Sequence, residues 1–179
     1  LFDEKTRDAV RKTVRLRYRF IPYIYDLARE CERTGEPIVR PLVYEYPHDK
    51  MVRNICDEYL LGKFVLVAPV TVPGKFAREV YLPEGEWYDY ETNEKYTGGK
   101  YILADAPLDK VPVFIRAGAI LPVAEGNIQS TEDITSENTR ILTYPGQGTF
   151  IHYEDDNETL AYREGSYLSL IHISEPTRP

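Results

Sequence analysis

The chain opens with apolar residues spaced as on one face of a helix. They recur in steps of three and four over Val10–Ala28, and we predict a helix over residues 3–33. Asp3 is typical of a helix start, and Gly35 is typical of a helix stop. Because Pro22 removes one backbone donor from the middle of this pattern, we expect a kink or two abutting helices.

Two extended apolar runs follow the helix. They are PIVRPLVYEY over residues 37–46 and FVLVAPV over residues 64–70, with a short helix expected over residues 49–60. Pro41 lacks the N–H group that a sheet ladder needs, so the first run requires an edge, a bulge or an irregular end. A long helix, a turn and a buried strand in this order are typical of an α/β unit.

From Pro73 onward the pattern changes to short strands separated by turn residues, which is typical of an antiparallel β-sandwich. The polar stretch over residues 124–139 predicts a linker or a long loop. The predicted strands are Arg78–Leu82, Trp87–Tyr90, Lys100–Leu103, Val113–Arg116, Ile120–Val123, Arg140–Tyr144, Thr149–Tyr153 and Leu160–Tyr162.

The two ends of the sequence are unusual. The segment Leu168–Pro179 reads LSLIHISEPTRP and resembles the in-frame translation of a transposase-type DNA-sequencing adapter, so we leave it out of the fold prediction. The alternative is a final strand over LSLIHI. The other end starts at Leu1 inside a helical pattern, and we expect a fragment of a longer protein.

The composition and net charge of the chain argue against several classes of protein and binding partner. With 42% hydrophobic residues the chain can form a core, which argues against disorder. The net charge of −7 disfavours a nucleic-acid partner, and the absence of a long apolar stretch argues against a membrane. The basic residues within 11–19 could form a nucleic-acid-binding patch, but we favour a solvent-exposed helix face on which the arginines pair with neighbouring carboxylates. Cys31 and Cys56 fit neither a disulfide framework nor a zinc site, and we expect a cytoplasmic protein.

The titratable side chains offer few candidate sites. The carboxylates of Glu154–Glu158 are the densest cluster, for which we favour a hairpin turn over a calcium site because the alternating ligand pattern is missing. The histidines are isolated: we place His48 in a turn and His152 as a cross-strand partner, and His172 belongs to the tail. We expect the remaining carboxylates to lie in turns or on solvated faces, with pKa values near ~4.

The aromatic residues around Trp87 leave two alternatives open. Trp87, Tyr88 and Tyr90 could stack on a sugar, but burial inside a sandwich is favoured. The residues themselves assign no catalytic, cofactor-binding or metal-binding position.

Four segments in chain order carry a family resemblance. The segments are RYRFIPYIYDL at Arg17–Leu27 with GEPI and RPL after it, DEYLLGKFVLVAPV at Asp57–Val70, VYLPEGEWYDY at Val80–Tyr90 with APLDKVPVFIRAGAILP at Ala106–Pro122, and YEDD with YREGSY within Phe150–Tyr167. Together they cover nearly all of residues 10–167, and they resemble glycoside hydrolase family 31, most of all its bacterial α-glucosidase branch.

The resemblance implies a fold class of α/β plus all-β, the end of a (β/α)8 barrel followed by an antiparallel β-sandwich. Ile38–Val43 would be the last barrel strand. The family has Gly after YEDD, and Asn157 stands there in this chain, where it can still accept a left-handed turn. The implied domains are the barrel end over residues 1–70, a proximal C-terminal β-sandwich over 71–138, the truncated start of a distal β-domain over 139–167, and the adapter-like tail over 168–179.

The resemblance also implies an activity for the parent protein. It would be a retaining α-glycosidase acting on oligosaccharides through a covalent glycosyl–enzyme intermediate, with two carboxyl groups about 5 Å apart and no metal or organic cofactor. The family's catalytic aspartates lie on strands that would precede Leu1, so no catalytic residue is transferred to this chain and we expect the chain alone to be inactive. Assembly into a homo-oligomer is compatible with this picture. The alternative is a standalone carbohydrate-binding or structural β-sandwich module.

Overall fold

A computed structural model of the chain describes residues 3–156 and 158–174. Within these residues no helix combines the length and the apolar character needed to cross a membrane. The helices are α1 (Glu4–Arg19), α2 (Ile21–Thr34) and the single turn α3 (Leu42–Glu45), with short 3-10 turns at Met51–Asn54, Thr131–Asp133 and Ala161–Glu164. The strands are β1 (Val39–Pro41), β2 (Tyr59–Leu61), β3 (Val65–Val67), β4 (Ala77–Leu82), β5 (Glu86–Asp89), β6 (Lys95–Thr97), β7 (Lys100–Asp105), β8 (Val113–Arg116), β9 (Ile120–Ala124), β10 (Thr139–Thr143), β11 (Gly148–Glu154) and β12 (Leu168–Ser174).

The chain divides into two compact units. The first contains the chain up to Tyr18 together with Pro37–Ala117, and the second contains Arg19–Glu36 together with the chain from Gly118 onward. Both units are therefore built from two separate stretches of sequence, and their limits differ from the expected boundaries at residues 70 and 138.

The N-terminal helical prediction is confirmed, with a break in place of a kink. Phe20 separates α1 from α2, and Pro22 lies in the first turn of α2, where its missing N–H has no partner to lose. Asp3 starts α1, because its Oδ1 accepts the N–H of Thr6 at 2.7 Å. Gly35 ends α2 with a φ of 80°, a left-handed conformation that favours glycine, and donates its N–H to Cys31 O.

The apolar residues that carry the helical period are not the buried ones. Val10 and Val14 are 55% and 47% exposed, whereas Tyr23 and Leu27 of α2 are buried. Residues 16–27 carry apolar side chains at more than one set of helical positions, so the period alone does not select which set is packed.

The first unit is built on a six-stranded antiparallel sheet with the order β1-β2-β3-β8-β5-β6. Strand β1 is its edge, as Pro41 requires. The strand predicted over residues 37–46 ends at Pro41, because Leu42–Glu45 turn into α3 and Leu42 is buried there. The described strands before residue 71 pair antiparallel, and β3 also pairs with β8, so this part of the chain forms one sheet with later strands and is not the separate α/β unit that the pattern suggests.

The second layer of this unit is the hairpin β4–β7, paired from Ala77↔Asp105 to Leu82↔Lys100. The predicted antiparallel β-structure is thus confirmed. The sequence analysis misses β6, whose residues are mostly polar and exposed, and β2, which begins inside the helix predicted over residues 49–60; that helix is a 3-10 turn at Met51–Asn54. The core is formed by Leu42, Val52, Leu60, Leu66, Ala68, Val80, Tyr81, Leu82, Trp87, Ala104 and Phe114.

Trp87 lies at the centre of this core and is fully buried. Its indole N–H donates to Pro83 O at 2.8 Å, so its polar atom has a partner. Gly98 passes close to the same carbonyl: a Cβ added at Gly98 would lie 1.9 Å from Pro83 O, which only glycine avoids.

The second unit packs α2 on β9 and β11. Its described strands form two pairs, β9 with β10 and β11 with β12. Strand β9 is buried along its whole length. The strand predicted over Leu160–Tyr162 is wrong, because these residues enter a 3-10 turn that ends at Gly165 with a φ of 91°.

The adapter-like segment contributes a strand to this unit. Leu168–Ser174 pairs with β11 in a continuous antiparallel register, which corresponds to the alternative of a final strand. Its described apolar side chains are exposed, Leu168 by 49%, Leu170 by 42% and Ile171 by 66%. The origin of the segment stays a prediction.

We predict that Trp87→Ala lowers the free energy of unfolding by about 3–5 kcal/mol, since it empties a large buried volume. Leu103→Ala is the matched control, because Leu103 is 71% exposed on the neighbouring hairpin and should change stability by less than about 0.5 kcal/mol. Urea unfolding of both variants measures the difference. Equal losses would contradict the assignment of Trp87 to the core.

Deleting residues 168–179 should leave the thermal midpoint unchanged within error, because the described side chains of this segment bury little apolar area. Truncation after Ser166 is the comparison. It also removes Tyr167, whose ring lies 5.4 Å from that of Tyr153, and should lower the midpoint. A loss of several degrees on deleting residues 168–179 alone would show that β12 contributes to the folded state.

Candidate functional site

A buried carboxylate–imidazole pair joins helix and sheet in the second unit. Asp26 of α2 places Oδ2 2.9 Å from His152 Nδ1 on β11, and its Oδ1 accepts the N–H of Tyr153 at 2.8 Å. The two side chains are only 2% and 7% exposed. Asp26 therefore satisfies both a side chain and the backbone of β11, which fixes the helix against the strand.

Both ring nitrogens of His152 face carboxylates, since Nε2 lies 3.0 Å from Glu154 Oε1. Burial lowers the pKa of His152, but the hydrogen bonds and charges of Asp26 and Glu154 outweigh it, so the pKa lies above the ordinary value. Burial raises the pKa of Asp26 more than the bonds from His152 and Tyr153 lower it. The protonated imidazole is thus the form that this pocket favours.

This arrangement stabilises the packing of α2 on β11 and is poorly suited to proton transfer from a substrate. A general base needs a ring nitrogen within hydrogen-bond reach of the proton that it removes. In His152 each nitrogen already faces a carboxylate, and the ring is almost completely buried. We conclude that the Asp26–His152 pair has a structural role and links α2 to β11.

A tyrosine cluster surrounds the next carboxylate along the chain. Asp155 accepts hydrogen bonds from Tyr25 Oη at 2.6 Å and from Tyr153 Oη at 2.8 Å. Burial, followed by these bonds to Asp155, raises the pKa of Tyr25 and raises that of Tyr153 to about 12. The Arg29 guanidinium lies 4.9 Å from the Tyr153 ring and also covers the rings of Tyr162 and Tyr167. The aromatic faces are therefore occupied by a cation of the chain itself.

The turn after this strand is formed by Asp156. Its Oδ1 accepts the N–H groups of Glu158 and Thr159, and the Thr159 hydroxyl and these N–H groups hold the pKa of Asp156 below its usual value. This supports the turn rather than the calcium site. Among the described residues no group of three His, Cys, Asp or Glu side chains could hold a metal ion. Asn157 lies outside the described residues.

The remaining predicted positions have mixed outcomes. Trp87 is fully buried, which rules it out as a sugar-stacking surface. His152 is paired across strands with Leu170, as predicted, but the sequence analysis misses its polar partner Asp26, which lies on a helix 126 residues earlier, a distance in sequence that no local pattern bridges. His48 is exposed, and the side chain of His172 lies outside the described residues. The expectation of ordinary carboxyl pKa values is wrong for Asp26 and also for Glu58.

A cleft of about 380 Å³ lies in the first unit, between residues 69–75 and 106–111. Its described lining is mostly apolar and includes Lys75 and Lys110 but no carboxylate. Glycosidic bond cleavage needs two carboxyl groups flanking the bond, so this cleft lacks the groups for that reaction.

The chain is similar to proteins of one family. A family model described as the glycosyl hydrolase family 31 C-terminal domain matches residues 35–121. Alpha-glucosidase 2 of Bacillus thermoamyloliquefaciens is 38% identical over 172 residues, which are 94% of this chain and 22% of that protein. An alpha-xylosidase of Saccharolobus solfataricus is 38% identical over 168 residues, which are 93% of this chain and 23% of that protein.

A solved structure agrees with these relatives. The family 31 dextranase of Flavobacterium johnsoniae in complex with glucose matches with a TM-score of 0.88 and 36% identity. The match covers 97% of this chain and 22% of that one. The chain spans about a fifth of the length of the curated relatives that it matches.

We predict that the free energy of unfolding falls as the pH rises above 6.5, the ordinary pKa of histidine. The folded pKa of His152 is raised, so its contribution is complete below 6.5 and is lost as the pH passes the folded value. His152→Gln should flatten this decline, because glutamine does not titrate. His48→Gln is the control and should keep the wild-type slope, since His48 is exposed. Urea titrations between about pH 6 and pH 9 measure the slopes, and parallel wild-type and His152→Gln curves would refute the assignment.

Proposed function

Because this chain belongs to glycoside hydrolase family 31, we propose that it is the C-terminal part of a retaining α-glycosidase. The parent would hydrolyse terminal α-linked glucosyl residues of oligosaccharides. The observation that carries this proposal is the 38% identity with Alpha-glucosidase 2, which extends over 94% of the chain. The alpha-xylosidase relative is equally identical, so the preference for glucose over xylose is the part that most needs the experiment below.

In this proposal the chain supports the catalytic machinery and does not contain it. Retaining hydrolysis uses one carboxyl group as nucleophile and a second as general acid, about 5 Å apart across the glycosidic bond. The described cleft has no carboxylate in its lining, and the buried Asp26 has its oxygens engaged by His152 and Tyr153. These observations favour catalytic aspartates outside the present sequence, and the reaction requires no metal or organic cofactor.

The proposed layout follows the family. Residues 1–70 would lie at the end of the catalytic barrel of the parent, with β2 and β3 extending into the sheet that also contains β8. Residues 71–138 would be its proximal β-sandwich and 139–167 the start of its distal β-domain. The oligosaccharide would contact the barrel of the parent, which we propose to be cytoplasmic. The alternative of a carbohydrate-binding module loses its main support, because Trp87 is buried and its N–H is bonded to Pro83.

We predict that the purified chain releases no p-nitrophenol from p-nitrophenyl α-glucoside. The same segment within its full-length parent should release it with retention of the anomeric configuration, measured by NMR of the first sugar product. The α-glucoside should be turned over faster than the α-xyloside; the opposite order would overturn the glucosidase assignment but leave the family role intact.

Two experiments distinguish a structural role of this chain from a catalytic one, the first in the full-length parent and the second in the isolated chain. Trp87→Ala should lower the melting temperature without changing the KM of the remaining folded enzyme, since Trp87 is part of a core. Activity in the isolated chain that is absent from an Asp26→Asn variant with a wild-type circular dichroism spectrum would show that a catalytic carboxylate lies here after all.

A further inference from the structure

Glu58 is a buried carboxyl group that joins the two sheets of the first unit. It immediately precedes β2 of the six-stranded sheet, and its side chain is 2% exposed. Its Oε1 accepts the backbone N–H of Tyr81 at 3.0 Å and Nη2 of Arg78 at 3.2 Å, both from β4 of the opposite layer. One oxygen therefore holds the two layers together.

The other oxygen of Glu58 is in a different situation. Oε2 is buried and has no hydrogen-bond partner among the described residues. A buried ionised oxygen without a donor costs far more free energy than a buried neutral carboxyl group. The geometry thus favours the neutral form.

The charges around Glu58 point the same way. Arg78 is the cation that contacts it, and its Nη2 also lies 3.0 Å from Oδ2 of Asp57, a carboxylate that is 48% exposed. Its Nη1 donates to the carbonyl oxygens of Asp57 and Pro69. One guanidinium therefore faces two carboxyl groups, and a proton is held best on the more buried of the two.

The remaining titratable groups nearby offer no further positive charge. The Tyr81 hydroxyl donates to Oδ2 of Asp49 at 2.7 Å, so it is engaged away from the Glu58 carboxyl. Asp49 and Asp57 are both acidic, and the charge of Asp57 disfavours ionisation of Glu58.

We infer that Glu58 carries a proton on Oε2 while the two sheets are packed, and that loss of this proton as the pH rises to neutrality and above weakens their packing. Burial raises the pKa of this carboxyl to about 7, more than the bonds from Tyr81 and Arg78 lower it. Because the folded pKa exceeds the ordinary value of 4.5, the stabilising contribution is complete below 4.5 and is lost as the pH rises to about 7. The first unit is therefore a proton-sensitive two-layer structure.

The test compares Glu58→Gln with Asp57→Asn in the full 179-residue chain. Glutamine has the shape of the protonated carboxyl but does not titrate. From about pH 5 to pH 8 the wild-type unfolding constant should rise at least roughly tenfold relative to that of Glu58→Gln, which becomes the more stable protein at pH 8. Asp57→Asn removes the carboxylate that disfavours ionisation of Glu58, so the fall in stability should begin at a lower pH than in the wild type. Parallel curves for wild type and Glu58→Gln would overturn the inference.

A second measurement does not depend on the variant being folded. Carboxyl carbon NMR of the wild-type chain, with Glu58 assigned through its own side-chain connectivity, should show this group titrating near neutral pH. A midpoint close to the ordinary glutamate value would overturn the inference even if the stability curves differ.

Discussion

The burial of Trp87 between two sheets is the contact on which the first unit depends. An indole of this size contributes more apolar area than any other side chain in the core, and its N–H would be costly to bury without the Pro83 carbonyl. That carbonyl lies where the chain leaves β4, and Gly98 lies against it on the way into β7. The backbone between β4 and β7 is thus constrained by contacts that begin with one side chain, that of Trp87.

Polar contacts then select how the layers and helices are fitted to that core. In the first unit Glu58 bonds to Arg78 and to the Tyr81 backbone across the two sheets. In the second unit Asp26 does the same between α2 and β11. Both carboxyl groups are almost completely buried, and burial raises the pKa of each. Such buried pairs add little to the net free energy of folding. An alternative packing that separates the two partners would, however, leave a buried charge or donor without a hydrogen bond, which costs several kcal/mol, so the pairs favour the observed packing over such alternatives.

The proposed supporting role is consistent with perturbed pKa values in groups that, among the described residues, are engaged in structural contacts. Perturbed groups often mark active sites, but buried ion-pair networks produce the same shifts. Here the shifted carboxyl groups are enclosed, and the cleft that is open to solvent has no carboxylate in its described lining. This separation fits a domain that belongs to a glycoside hydrolase family and contributes structure to it.

The sequence by itself determined the elements whose causes are local. Helix ends at Asp3 and Gly35, the break at Phe20 just before Pro22 and strands such as Val113–Arg116 follow from capping, proline geometry and short apolar runs bounded by turns. The family resemblance likewise depended on residue order alone. Only the tertiary structure decided which helical face is buried, that β1 to β3 join an antiparallel sheet, and that Asp26 meets His152. These outcomes depend on residues that are far apart in the sequence. A periodic pattern indicates that a residue is buried or paired, but it does not identify the residue that it contacts.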